Sequence, residues 1–239
     1  MPRPHRPLAA GLIYHVTARG NAKAATFRTG TDYEVFLSGL AVAQHLDGLL
    51  THAYCLMENH YHLLVETPRA NLDNAMQRLN ATYAMRFNRS HERTGHVFQG
   101  RYGAKLITDD DYALTVVRYI AANPVQAGLC AMPEDWPWSS YAATAGLASS
   151  PRFLTTTVLS WFRDREEYRG FVLAGLDSAR LDDRPTLVEL LPHSDPELIA
   201  EAHRDHGYSF ADIAEHLGVH RSTILRAVRR CDSARNIGV

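Results

Sequence analysis

Apolar and polar positions change period several times along this chain, and each change marks an element. Residues 12–18 (LIYHVTA) combine β-branched and aromatic side chains and run into Arg19-Gly20-Asn21, which predicts a strand and a turn. Over residues 31–46 the apolar positions Val35, Phe36, Leu40, Val42 and Ala43 approach helical spacing, with Asp32 in the first turn. Residues 49–57 and 60–66 are two strand-like runs separated only by Glu58-Asn59, which predicts a hairpin. Helical spacing returns over residues 72–87, where Ala75, Met76, Leu79, Tyr83 and Phe87 share one side. A long strand broken by glycines is expected over residues 97–107. Thr108 and three aspartates then start a helix that Pro124 stops at Asn123.

The order β-α-β-β-α-β-α with mostly hairpin connections predicts an α+β fold, a ferredoxin-like antiparallel sheet with helices on one side. Small residues over 142–151 (AATAGLASSP) suggest a linker, followed by a helix over residues 154–176 and a charged, proline-containing stretch to Ser194. From Asp195 the pattern is three short helices, with Asp195-Pro196 as cap and first turn, Ser209 as a second cap, and residues 221–230 as the third helix. The expected organisation is therefore a first domain over residues 1–145, a linker and helical connection over 146–194, and an all-α domain over 195–239.

Within that last domain, residues 210–230 (FADIAEHLGVHRSTILRAVRR) resemble a helix-turn-helix. Ala214 is small where two helices would cross, Gly218 suits the turn, and Ile224 anchors the second helix. Arg221, Ser222 and Thr223 begin that helix, where base contacts in such motifs fall, and Arg226, Arg229 and Arg230 stand where backbone phosphates would lie. A plain helical bundle is the alternative.

Composition narrows the partners. With 46% hydrophobic and 21% charged residues among 239, a packed core is expected and disorder is not. The formal net charge of −1 means that any nucleic-acid surface is a local patch. Of the 25 basic residues only Lys23 and Lys105 are lysines. Arginine suits bidentate phosphate contact, although a GC-rich genome gives the same bias. Cys55, Cys130 and Cys231 are far apart and never form a CxxC pair, which argues against a disulfide framework and a thiolate zinc site. No stretch approaches the ~20 apolar residues of a membrane span. A soluble cytoplasmic protein is expected. Nor is there a nucleophile elbow or dinucleotide loop to suggest acyl transfer or redox chemistry.

Two short patterns carry chemistry. In a strand, side chains at i and i+2 share a face, so His60 and His62 project together and could grip one divalent ion. A pair of hydrogen-bonded sheet histidines fits the same residues. On a helix, i and i+4 share a face, so Tyr119 and Asn123 would point into one space. The carboxamide offers a neutral oxygen to a hard cation such as magnesium or manganese, and the phenol offers an oxygen nucleophile that needs a base or an activating metal. A core tyrosine and a helix-capping asparagine are the alternative.

The combination of MENHYHLLVETP with RYIAANPVQAGL and WPWSSY resembles the single-tyrosine HUH transposases, and within them the REP-associated tyrosine transposases. The opening YHVTARGNAKAATF is similar to their first strand and turn, and FQGRYGAKLI to their fourth strand, so the resemblance runs over roughly residues 1–145. It implies a ferredoxin-like catalytic domain that cleaves and rejoins single-stranded hairpin DNA of REP type through a 5′-phosphotyrosine. It also implies Mg2+ or Mn2+ held by His60, His62 and Asn123, with Tyr119 as the nucleophile. Glu58 stands where many relatives have proline, and Gln126 replaces a frequent arginine. Candidate DNA contacts are Arg3, Arg6, Arg19, Arg101 and Lys105, with Tyr102 or Phe98 stacking on a base. The helix-turn-helix would add duplex DNA. A domesticated, non-catalytic DNA-binding regulator and a replication-initiator-like HUH nickase are the competing expectations, and either a monomer or a homodimer fits.

Overall fold

The computed structural model describes residues 9–179, 187–191, 195–204, 210–220, 222–224 and 226–228. The chain divides into two compact units, Met1–Val172 and Leu173–Val239. In the first, a four-stranded antiparallel sheet has the order β2-β3-β1-β4, built from β1 (Leu12–Arg19), β2 (Leu50–Met57), β3 (His60–Thr67) and β4 (Gly103–Leu106). The expected strands and hairpin are present. The expected strand over 97–107 is shorter than its apolar run suggests: only Gly103–Leu106 pairs with β1, while Phe98 makes an isolated bridge to Gly20.

Helices cover both faces rather than one. Tyr14, Val16, Ala18, Tyr54, Leu56, Tyr61, Leu63 and Val65 point to the face packed by α1 (Gly30–Asp47) and α2 (Leu72–Ser90). The alternate residues Ala53, Cys55, Met57 and Leu64 meet Val116, Val117, Ile120 and Ala121 of α3 (Asp110–Gln126) on the opposite face. A strand apolar on both faces can be covered twice, and β2 is such a strand, with seven of its eight residues buried.

Helix α3 begins at Asp109, whose carboxylate accepts from the Tyr112 N–H, and it passes through Pro124. The Ala127 N–H still reaches the Asn123 carbonyl at 3.0 Å. A proline forfeits one hydrogen bond and crowds the carbonyl four residues back; in the last turn so little helix follows that α3 ends two residues later instead of stopping.

The stretch expected as a linker over 142–151 starts inside the core. Within α4 (Tyr141–Thr144) and just after it, Tyr141, Ala143, Thr144 and Ala145 are buried. Beyond it Leu154 bridges to Thr51, and the Thr155 N–H reaches the Thr51 carbonyl at 2.9 Å. Where one helix is expected over 154–176 there is a 3-10 turn (Thr157–Trp161) and then α5 (Arg165–Ala179), whose Tyr168 and Val172 join the α3-side core.

The second unit contains α6 (Leu187–Leu190), α7 (Pro196–Arg204) and α8 (Phe210–His216), with residues 222–224 and 226–228 also helical. Leu191, Ile199, Ala202, Ile213, Ala214, Ile224 and Val228 form its apolar centre. Among the described residues no helix is long and apolar enough to cross a membrane.

Candidate active site

Register places the chemistry. Strand β1 pairs with β3 so that Thr17 stands opposite His62 and Arg19 opposite His60, while β4 brings Gly103 opposite Thr17 and Lys105 opposite His15. Residues opposed in an antiparallel ladder share a face, so one row across the sheet presents both histidines, Thr17 and Arg19 toward α3. An open cavity of about 540 Å3 lies there, lined by Thr17, Ala18, Arg19, His60, His62, Gln99, Gly100, Arg101, Gly103 and Tyr119. Gly103 keeps its floor clear, since a β-carbon at that position would stand 2.9 Å from Thr17 Oγ1.

The two histidines meet edge to face, with ring centroids 5.0 Å apart. His60 Nδ1 lies 2.7 Å from Asn59 Oδ1, and Asn123 stands beside its ring. Burial and the neighbouring Arg19 charge hold the His60 imidazolium below the usual histidine range, against the opposing pull of Asn123. His62 is 7% exposed. Burial first, then the nearby His15 and His60, push its pKa down to about 3, so the ring is neutral at physiological pH. Its Nδ1 lies 3.0 Å from His15 Nε2, and its Nε2 is buried without a hydrogen-bond partner. His15, its ring centroid 5.2 Å from that of His62, is itself lowered to about 4 by burial and by the Lys105 charge.

Helix α3 supplies the other side. Tyr119 is 40% exposed at the cavity, its ring 5.0 Å from that of His62 and nearly perpendicular to it. One turn later Asn123 is buried against His60. The four residues singled out in sequence thus converge from β3 and α3. Among the described residues no three His, Cys, Asp or Glu side chains gather as a ligand set, so a cation here would take two imidazoles and a carboxamide. An unpartnered buried nitrogen is costly in an apolar setting, and the unpartnered His62 Nε2 fits a cation at this position. Two neutral imidazoles with one amide oxygen, leaving coordination positions open, suit a divalent ion.

Arg19 and Arg101 are exposed and line the cavity, and Lys105 is exposed on β4 opposite His15. Arg3 and Arg6 lie outside the described residues. The two aromatic residues expected to stack on bases are unavailable for it. Phe98 is 8% and Tyr102 5% exposed, both inside the α1/α2-side core, with the Tyr102 hydroxyl on Asp73. His15 and Asn59 escape the sequence reading. His15 is one of 13 histidines, and its contact with His62 exists only through the β1–β3 register.

In the second unit Ser222, Thr223 and Arg226 are exposed, whereas Arg221, Arg229, Arg230 and Ser209 lie outside the described residues. The Asp195 carboxylate accepts from the Glu197 N–H at 2.8 Å, as a cap should. His220 Nδ1 accepts from the Ser222 N–H at 3.3 Å, a cap not foreseen from sequence. Gly218 takes the left-handed turn conformation, with φ +64°.

Comparison with known proteins places these features. Residues 9–123 match the family described as Transposase IS200 like, and residues 194–231 match the family described as Helix-turn-helix domain. A curated protein of Haemophilus influenzae, described as a REP-associated tyrosine transposase, is 30% identical over 102 residues, 38% of this chain and 58% of that protein. The chain therefore spans little more than half the length of that relative. A solved structure of a REP-associated tyrosine transposase bound to a REP hairpin shares the fold, with a TM-score of 0.53 at 17% identity over 65% of this chain and 92% of the other.

Proposed function

Because residues 9–123 match the family described as Transposase IS200 like, we propose that this chain is a metal-dependent DNA-strand transferase with Tyr119 as its nucleophile. The observation that carries the proposal is the convergence of His60, His62 and Tyr119 on one cavity with Asn123 behind His60. His60, His62 and Asn123 would hold Mg2+ or Mn2+, which when bound withdraws charge from a phosphate oxygen of the substrate.

The reaction begins with Tyr119. Its phenol oxygen attacks phosphorus, the bond from phosphorus to the 3′-oxygen breaks, and the phenol proton ends on the released 3′-hydroxyl. The chain then carries the 5′-phosphate as an ester of Tyr119. A 3′-hydroxyl from another strand reverses the step, so joining needs no nucleotide cofactor. The neutral His62 and His15 leave the basic charge to Arg19 and Arg101, which line the cavity, and to Lys105 beside His15, and these suit the phosphates of an unpaired strand. The proposed substrate is single-stranded hairpin DNA of REP type, with duplex DNA bound through Ser222, Thr223, Arg226 and Arg221 of the helix-turn-helix.

The test is incubation of the purified chain with labelled hairpin DNA from palindromes beside its own gene, with Mn2+ or with chelator, followed by denaturing electrophoresis. A Mn2+-dependent protein–DNA adduct that disappears in Tyr119→Phe is expected, with hairpin binding retained. Cleavage persisting in Tyr119→Phe would sink the nucleophile assignment. No adduct with any metal, together with tight duplex binding, would identify a non-catalytic regulator.

A further inference from the structure

The unpartnered Nε2 of His62 has a counterpart on the other side of the ring. His62 Nδ1 and His15 Nε2 lie 3.0 Å apart, so between two neutral rings one nitrogen donates and the other accepts. Two arrangements are possible. If His15 donates, then His62 Nε2 must carry a proton, and that N–H is buried with no acceptor. If His62 donates, its Nε2 presents a bare lone pair at the cavity wall, which is the form a cation requires. His60 repeats the arrangement. Asn59 Oδ1 can only accept, so at 2.7 Å it fixes the His60 proton on Nδ1. Asn59 is itself tied down, since its Nδ2 donates to the Lys23 carbonyl at 3.3 Å.

We infer that His15 is a positioning residue: its Nε2 accepts the Nδ1 proton of His62 and so turns the His62 Nε2 lone pair toward the cation site. The inference rests on the cation reading given above, but makes a claim about the metal-free chain as well. His15 is placed for this by register alone, lying two positions from Thr17, the residue paired with His62. Its ring lies within 29° of the His62 plane, with centroids 5.2 Å apart as an edge-to-edge hydrogen bond requires, and also meets the Tyr119 ring edge-on at 6.0 Å. One side chain thus borders both the proposed ligand and the proposed nucleophile without being either.

Two readouts on the full-length chain test this. The first is the two-bond 1H–15N spectrum of metal-free protein carrying 15N-histidine, with the His62 signals assigned by their loss in His62→Gln. The expected result is His62 protonated on Nδ1; a proton on Nε2 overturns the inference. The second is Mn2+ affinity, followed by electron paramagnetic resonance, in His15→Phe and His15→Gln. Phenylalanine keeps the ring but offers no acceptor, and binding should weaken about 10- to 100-fold, the usual cost of losing an outer partner of a ligand histidine. Glutamine retains an acceptor oxygen and should restore most of the affinity. Equal affinity in His15→Phe and the wild type overturns the inference. If the wild type binds no Mn2+ yet carries the His62 proton on Nδ1, the cation reading fails and the role of His15 in setting the tautomer stands.

Discussion

At Gly103 a β-carbon would meet Thr17 Oγ1 at 2.9 Å, so alanine there must push the threonine from its place on the cavity floor. Gly103→Ala should cost about 1–3 kcal/mol of stability as overpacking and reduce adduct formation on hairpin DNA. Thr17→Ala in the same chain should restore both, which thermal melts and the adduct gel would read side by side. Retained adduct formation in Gly103→Ala alone would show that the floor is not used. The same scale shows what the sequence could and could not convey. His60 with His62, and Tyr119 with Asn123, were legible because strand and helix periods fix which neighbours share a face. His15 was not, because its partner lies 47 residues away and only strand register joins them. Phe98 and Tyr102 misled for a related reason. Both fall in the run expected as one long strand, but residues 97–102 leave the ladder and turn both rings into the core.

Helix α1 illustrates how an element is anchored by a residue far from the chemistry. Asp32 is buried, and its carboxylate accepts from the Arg28 and Thr29 N–H groups at 2.9 Å each and pairs with His91 Nε2 at the end of α2. Burial alone would raise its pKa, but those hydrogen bonds outweigh it and hold the carboxyl below the usual range. Asp32→Ala should therefore destabilise the fold by about 1–2 kcal/mol through the lost cap, measured by urea denaturation. Adduct formation per folded molecule should be unchanged, since α1 packs on the face opposite the cavity. The element order was readable because each strand and helix kept its period. The ends were less so: Pro124 looks like a stop and sits inside α3, and Ala143, Thr144 and Ala145, at the start of the expected linker, are core. Small side chains allow close packing as readily as they allow a bend, and composition alone does not separate the two.

Across the whole molecule, buried neutral histidines couple stability to pH. His15, His52 and His62 all have folded pKa values below the ordinary 6.5, in each case chiefly through burial. At His52 the partner Glu66 opposes the shift without reversing it. The unfolded chain therefore takes up protons first as the medium becomes acidic, and the stability present above pH 6.5 is lost as pH falls toward about 4, where His15 itself charges. Urea midpoints at pH 7, 5.5 and 4.5 should decline steadily, and His52→Gln should flatten the decline. A midpoint constant from pH 7 to 5 would contradict this.

The turn at Glu58-Asn59 is bound on its outer side. The Glu58 carbonyl accepts from Thr26 and Phe27 N–H groups and the Asn59 carbonyl from Gly20, while Asn59 reaches Lys23, which with Ala22 adopts a left-handed backbone unusual for residues other than glycine. Hairpin tips are ordinarily where a chain accepts extra residues and where proteases cut first. This tip offers neither opportunity. Any lengthening would break the collar of hydrogen bonds from residues 20–27 and rotate His60 away from Asn59. A peptide tag or domain grafted into this protein would therefore be accommodated at the exposed stretch near Gly95 rather than at this hairpin.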